Sequence, residues 1–348
     1  MSTYKQAGVD IKLGDQASKI LYEAAKLTWK NRKGLGKIFS PHKSFSGIRV
    51  INVSGLPRDS VMCMGFDGIG TKVEISQRLH RYDTIAYDLL AMTCDDAVMA
   101  GGEPVLVGSV LDVNTLKGNM NALRQLARGY VNAAKDANVA IINGELAELG
   151  HHVGGYGKFN YSWSSTVVWF AKSDRLFDGS KIKLGQALVA LKEDGFRSNG
   201  ISLVRKVLSK QKSNDMWQRA LQPSRIYSRA VVEMFGGYDK KPKAQVSGVA
   251  HITGGGIPGK LGRVLSKAGI GAVINNPFNP PAVMKYCINK GKISLREAYH
   301  TWNMGNGMII ITSEPEKVMS IAKKHNISSK IIGETVKKTS INIKDLSF

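Results

Sequence analysis

The chain has 348 residues, 43% of them hydrophobic and 22% charged, the balance of an ordinary soluble globular protein and long enough for two domains. Its longest apolar runs, TVVWFA from Thr166 and MIIIT from Met308, are too short to cross a bilayer, and the opening MSTYKQAGVD lacks the basic-then-apolar layout of an export signal. Cys63, Cys94 and Cys287 are scattered and form no zinc-ligand pattern, which fits a reducing cytoplasm, and the net charge of +22 comes from lysines spread from Lys5 to Lys344, the pattern of a solvated basic surface without a specific nucleic-acid partner.

Tyr4 to Ile11 reads as a short extended opening and Gly14 to Trp29 as a helix. Lys33 to Ser46 holds glycine, proline and serine without periodicity and reads as a loop. The apolar run Val61 to Gly65 (VMCMG) predicts a buried strand, with a sharp turn carrying Asp67, Gly68 and Gly70 at its carboxyl end. Glycines there let main-chain N–H groups face an anion, Asp67 is suited to a divalent cation and Lys72 to phosphate charge, so the stretch FDGIGTK fits a metal nucleotide as well as a simple turn.

Asp83 to Ala100 predicts a long buried helix on which Asp88 and Asp95, two turns apart, share a face and need partners. Gly101-Gly102-Glu103-Pro104 ends it, the strand VLVGSVLDV follows, and a helix runs from about Gly118 to Ala137. The strand VAII leads into Asn143-Gly144-Glu145, read as another acid at a glycine turn, and Tyr156 to Lys172 alternates like a sheet strand. The polar stretch Asp174 to Leu184 marks the boundary between an N-terminal domain, 1–173, and a C-terminal domain, 174–348.

In the second half the strand ALVAL precedes DGFRSNG, where Ser198 and Asn199 stand as caps of the helix ISLVRKVLSK. VAHITGGGI predicts a strand ending in Gly254, Gly255 and Gly256, more glycines than a turn needs, and TWNMGNGMIIIT joins a glycine turn to a strand. Strands and helices alternate in both halves, which predicts an α/β or α+β class.

These motifs, in this order, resemble aminoimidazole ribonucleotide synthetase, the phosphoribosylformylglycinamidine cyclo-ligase family of purine synthesis. The resemblance spans YKQAGVDI, FDGIGTK, RYDTI running into YDLLAM, GGEP, NGELAE, RSNGISLVRK, PSRIY, VAHITGGGIPGKLGRVL and TWNMGNGM. It implies a two-domain fold whose first domain binds ATP and contributes strands to a barrel-like homodimer interface, with a C-terminal α/β sandwich binding substrate, formylglycinamidine ribonucleotide. It implies magnesium and ATP, with Asp67 as main metal ligand and Asp88 and Glu145 beside it. Asp96 joins them as an acid organising metal or phosphate, while Gly68, Gly70, Thr71 and Lys72 contact the nucleotide. Ser198, Asn199, Thr253, Gly254, Gly255 and Gly256 are implied to bind substrate, and Asp67, Lys72, Arg197 and Asn199 to serve catalysis.

The chain departs from that pattern where the family has His and this chain Arg197, where an expected aspartate is Ser109 with Asp112 nearest, at Asn143 for a glycine, and at Leu149-Gly150 for Met-Pro. Arginine cannot act as a neutral base. Two other readings remain from the sequence: a kinase-like relative using the same ATP site, and a non-catalytic basic protein that binds nucleotide or nucleic acid.

Overall fold

The computed structural model describes residues 10–40, 47–210 and 214–348. The expected extended opening from Tyr4 falls almost wholly outside them, as does the end of the loop expected at 33–46. The chain divides into two compact units that interleave in sequence: Met1–Leu56, Met62–Cys94 and Pro104–Trp169 form the first; Pro57–Val61, Asp95–Glu103 and Phe170–Phe348 form the second.

A short pair, β1 (Ile38–Phe39) with β2 (Val50–Ile51), and an open four-stranded sheet supply the strands of the first unit. The sheet has the order β3 (Ser60–Gly68), β6 (Tyr161–Lys172), β4 (Glu103–Val113), β5 (Ala140–Glu148), with β4 and β5 parallel. Helices α1 (Ile11–Thr28) and α4 (Met120–Ala137) pack together, and α4 buries Leu123, Leu126, Tyr130, Ala133 and Ala134. Asp10 starts α1 by accepting the Leu13 amide at 3.3 Å, the usual remedy for an orphan first-turn donor. The far end of α1 meets edge strand β5: Thr28 Oγ1 accepts the Ile141 amide at 2.9 Å, while Trp29 Nε1 and Asn31 Nδ2 donate to the carbonyls of Ile141 and Val139.

Two expectations fail here. The run VMCMG does form β3, but as an edge strand whose Met62, Met64 and Phe66 are 59%, 46% and 74% exposed, since an apolar run signals a strand without fixing what covers it. Asn143, Gly144 and Glu145 lie inside β5, paired with Gly108, Ser109 and Val110 of β4, and make no turn; a register shift at this point absorbs the polar residues into the ladder.

The helix α2 (Val73–Leu79) follows a single tight turn, Gly70–Lys72, and α3 (Ile85–Met99) follows in turn. The second unit is built on a seven-stranded sheet, in the order β13 (Leu346–Ser347), β12 (Ile341–Ile343), β9 (Gly271–Ile274), β11 (Ser329–Val336), β7 (Ala187–Lys192), β10 (Asn306–Thr312), β8 (Val246–His251). Within it β10 runs antiparallel to β7 and β8, β11 to β7 and β9, and β12 to β13, while β12 runs parallel to β9. The helices α5 (Ile201–Leu208), α6 (Asp215–Ala220), α7 (Ser228–Phe235) and α8 (Gly256–Ser266) lie on this unit. Val189, Leu191, Val249, Met308 and Ile310 of the central strands meet Ala230, Val231 and Met234 of α7 in one apolar core; each of its Val, Leu, Ile and Met side chains contributes roughly 1.5–3 kcal/mol on burial. Mixed helix and sheet in both units bears out the class read from the sequence.

Candidate active site

In the first unit Asp67 and Gly68, expected in a turn, are the last two residues of β3, and Gly70, Thr71 and Lys72 form the tight turn after it. Asp67 is exposed, and its Oδ1 accepts the Gly68 amide at 2.6 Å. Gly70 has φ +66°, the left-handed backbone a glycine adopts without cost. Thr71 is exposed beside it. Lys72 differs from expectation: its Nζ lies 2.6 Å from Asp88 Oδ1, and both side chains are fully buried. The sequence argument that Asp88 needs a partner on the apolar helix is met by this lysine, so Lys72 is engaged inside the unit.

The expected metal set of Asp67, Asp88 and Glu145 does not come together. Glu145 sits on β5, the opposite edge of the sheet from the β3 that carries Asp67, with two strands between them. No group of three His, Cys, Asp or Glu residues suited to a metal occurs among the described residues. Glu145 instead borders a cavity of about 250 Å³ under α1, whose wall includes Tyr22, Arg49, Ser109, Asn143 and Trp163. Two of the departures from the family pattern, Ser109 and Asn143, thus face the same space. Magnesium is commonly held by one or two carboxylates together with substrate phosphates. The exposed Asp67 carboxylate, with the Gly70 turn behind it, fits that mode.

In the second unit a chain of charged groups surrounds Arg197. The residue adopts φ +59°, uncommon for any residue other than glycine, and is fully buried. Its Nη2 donates to Asp95 Oδ2 at 2.8 Å and lies 2.7 Å from His251 Nε2; its Nη1 donates to Glu193 Oε2 and to the Arg225 carbonyl, both at 2.9 Å. Asp95 Oδ1 also accepts the amides of Tyr227 and Ser228 at 2.9 and 2.8 Å. Burial pushes the Asp95 carboxyl up to about 7, against the pull of Arg197 and those two amides. Three buried charges in contact require this degree of mutual hydrogen bonding to be tolerated.

Beyond Arg197 the chain continues to the surface. His251 Nδ1 is 2.6 Å from Asp96 Oδ1, and the Asp96 side chain is 44% exposed. Burial first, then the Arg197 charge, push the His251 pKa from 6.5 down to about 4, although Asp96 pulls the other way. Burial alone would raise Asp96, but the His251 hydrogen bond, with the charges of Lys260 and Arg197, holds it below the usual carboxylate range. Asp96, expected among the nucleotide acids of the first unit, belongs to the second, where it is bound to His251, two residues before Thr253.

The expected substrate residues cluster around this chain. A Cβ on the exposed Gly254 would meet Asn199 Oδ1 at 3.0 Å, so the two expected positions are neighbours. Ser198 and Asn199 do not cap α5; its N-cap is Gly200, at φ +68° without a side-chain cap bond, and Ser198 Oγ is buried without a hydrogen-bond partner. Gly256 is explained within the protein, since a Cβ there would lie 1.7 Å from the Tyr299 carbonyl, and Gly255 is the left-handed N-cap of α8. Sequence reasoning missed His251 and Glu193. Both are polar residues closing apolar strands, HIT after VSGVA and KE after ALVAL, and that break in pattern was the available signal.

Two family models match the chain: the N-terminal domain of AIR synthase related proteins over residues 49–169 and their C-terminal domain over 183–345. A phosphoribosylformylglycinamidine cyclo-ligase of Thermodesulfovibrio yellowstonii is 32% identical over 350 residues, 96% of each chain. One of Methanocaldococcus jannaschii is 31% identical over 98% of this chain and 94% of its own. Among solved structures, a thiamine-monophosphate kinase of Stenotrophomonas maltophilia superposes with a TM-score of 0.66 at 12% identity over 94% of this chain and 97% of its own, and a hydrogenase maturation protein of Escherichia coli with 0.65 at 14% over 96% and 95%; at such identity they share the fold alone. With both domains in order and relatives at about a third identity along their full length, this chain belongs to the AIR synthase family.

Proposed function

We propose that the protein closes the imidazole ring of aminoimidazole ribonucleotide in the cytoplasm, as a homodimer. ATP phosphorylates the amide oxygen of formylglycinamidine ribonucleotide, giving ADP; the amidine nitrogen then attacks the activated carbon and gives up a proton as the C–O bond breaks and phosphate leaves. The observation that carries this reading is the likeness to curated cyclo-ligases along 96% of both chains.

The chemistry asks for charge neutralisation and for a flexible substrate held in attack geometry, not for a covalent nucleophile. In the first unit Asp67 would hold magnesium, with Gly68, Gly70 and Thr71 against the nucleotide phosphates. Bound there, magnesium neutralises charge on the transferred phosphoryl group. Lys72 and Asp88 act behind this turn, fixing its backbone. In the second unit Ser198, Asn199, Thr253 and Gly254 hold the ribose phosphate and the amide, and Arg197 acts from within, through its neighbours.

Met62, Met64 and Phe66, alternate residues on one face of edge strand β3, support the homodimer reading, because so much exposed apolar surface in a row favours covering by a second copy. The test is a coupled assay with purified protein, formylglycinamidine ribonucleotide and magnesium-ATP. Aminoimidazole ribonucleotide and ADP in equal amounts are expected; ADP without the imidazole product would favour a kinase.

A further inference from the structure

We infer that the buried turn 301–307 is a brace for the ribonucleotide site: it holds the segment carrying Ser198 and Asn199 and the segment carrying Thr253 and Gly254 at one fixed separation, with Trp302 and Asn303 as positioning residues. That these segments meet the ribonucleotide rests on the cyclo-ligase reading; the brace itself does not.

Sheet topology puts the turn where it can do this. β10 lies between β7 and β8 and runs antiparallel to both, so the chain leaving β7 and the chain leaving β8 emerge on either side of the turn that enters β10. Main-chain bonds carry each ladder one step past the strands, from the Glu193 amide to the Gly305 carbonyl and from the Ile252 amide to the Gly307 carbonyl, both at 3.0 Å. Side chains then take over. Asn303 Nδ2 donates to the Gly195 carbonyl at 2.9 Å while its Oδ1 accepts the Gly305 amide at 2.8 Å, so one buried amide ties the turn to the first segment and shapes the turn itself. Trp302 is fully buried, meets Phe196 edge-on with ring centres 5.1 Å apart, and points its Nε1 at the Gly200 carbonyl, 3.4 Å away.

Each segment presses on the brace through a glycine. A Cβ on Gly200 would collide with the Trp302 indole, and one on Gly256 would lie 3.1 Å from the Trp302 carbonyl and collide with the Tyr299 carbonyl. Trp302 thus stands between the residue after Asn199 and the residue two beyond Gly254. Those two are themselves close, since a Cβ on Gly254 would meet Asn199 Oδ1 at 3.0 Å, and the brace sets that approach from behind. Residues 302–307 are all buried, so the turn reaches a ligand only through the segments it holds. TWNMGNGM serves the site without facing it.

Native-state hydrogen exchange on the parent protein reads the brace without any activity. Amides of residues 193–200, 252–256 and 301–307 should open together with one urea dependence; separate openings of the two segments would overturn the brace. Kinetics, with folding checked by thermal unfolding, read its use. Trp302→Leu and Asn303→Ala should each lower kcat/KM for formylglycinamidine ribonucleotide by about 10–100-fold, the scale of a misplacement of about 1 Å, and leave KM for ATP within about twofold. Asn303→Ala makes the same test with a smaller cavity should Trp302→Leu not fold. Trp302→Phe keeps an aromatic edge for Phe196 and gives up only the long bond to Gly200, so it should stay within about threefold of the parent. In an Asn199→Ala background the loss from Asn303→Ala should shrink to about threefold or less, because the group it positions is gone. Additive losses there, an equal rise in KM for ATP, or a Trp302→Phe variant as impaired as Trp302→Leu would defeat the positioning role. Joint opening of the three segments without ring closure would count against the function and leave the brace standing.

Discussion

Lys72 Nζ and Asp88 Oδ1 lie 2.6 Å apart with neither side chain exposed, so the lysine of FDGIGTK is bound to α3 from inside. Removing one member of such a pair strands a buried charge, which costs about 3–5 kcal/mol, whereas replacing both by apolar groups costs much less. Lys72→Met or Asp88→Leu alone should therefore lower the urea midpoint strongly, and the double variant should regain most of the loss. Additive losses in the double variant would show that the pair is not a unit.

Asp67 differs from Asp88 in being exposed, and it accepts the next amide. Asp67→Asn should keep the unfolding midpoint of the parent and reduce turnover by at least about 100-fold, the scale expected when charge stabilisation in the transition state is lost. Full activity in this variant, measured by ADP release, would remove Asp67 from the reaction.

The exposed apolar row of β3 predicts the assembly. Light scattering should give the parent protein twice the mass of the chain, and Phe66→Glu, at a side chain 74% exposed, should shift it towards the single-chain mass without lowering the stability of the core. A parent that runs as a single chain at every concentration tested would contradict the dimer.

Acid stability has one local contributor with a clear sign. Hydrogen bonds from Lys243 and His325, each at 2.7 Å, pull the Glu233 pKa from 4.5 down to about 2. Because the folded value lies below the unfolded one, this stabilisation is present above about pH 4.5 and disappears as pH falls towards 2. Glu233→Gln should melt below the parent near neutral pH, and the difference should vanish at the acid end of a thermal-unfolding series. A difference that grows on acidification would reverse the assignment.

The sequence made the element order legible, because α3, α4, β7 and β10 each carry a clean apolar pattern, and the carboxylates of α3 announced that they needed partners. It did not show which partners. Lys72 is sixteen residues from Asp88 and Arg197 about a hundred from Asp95, and pairings at that separation depend on tertiary packing that periodicity does not encode. Burial was misread at β3 for a related reason: an apolar strand looks the same whether its own chain or another covers it. Glu145 was misplaced because Asn-Gly, a strong turn signal, is absorbed by the register shift in β5.

The side chains of Thr28, Trp29 and Asn31 occupy backbone groups of Val139 and Ile141 that β5, as a border strand, would otherwise leave bare. A shortened version beginning after residue 31 would lose more than a helix. It would display a sticky strip able to recruit the same strip from its neighbours, so such trimming is expected to trade a well-behaved preparation for inclusion bodies.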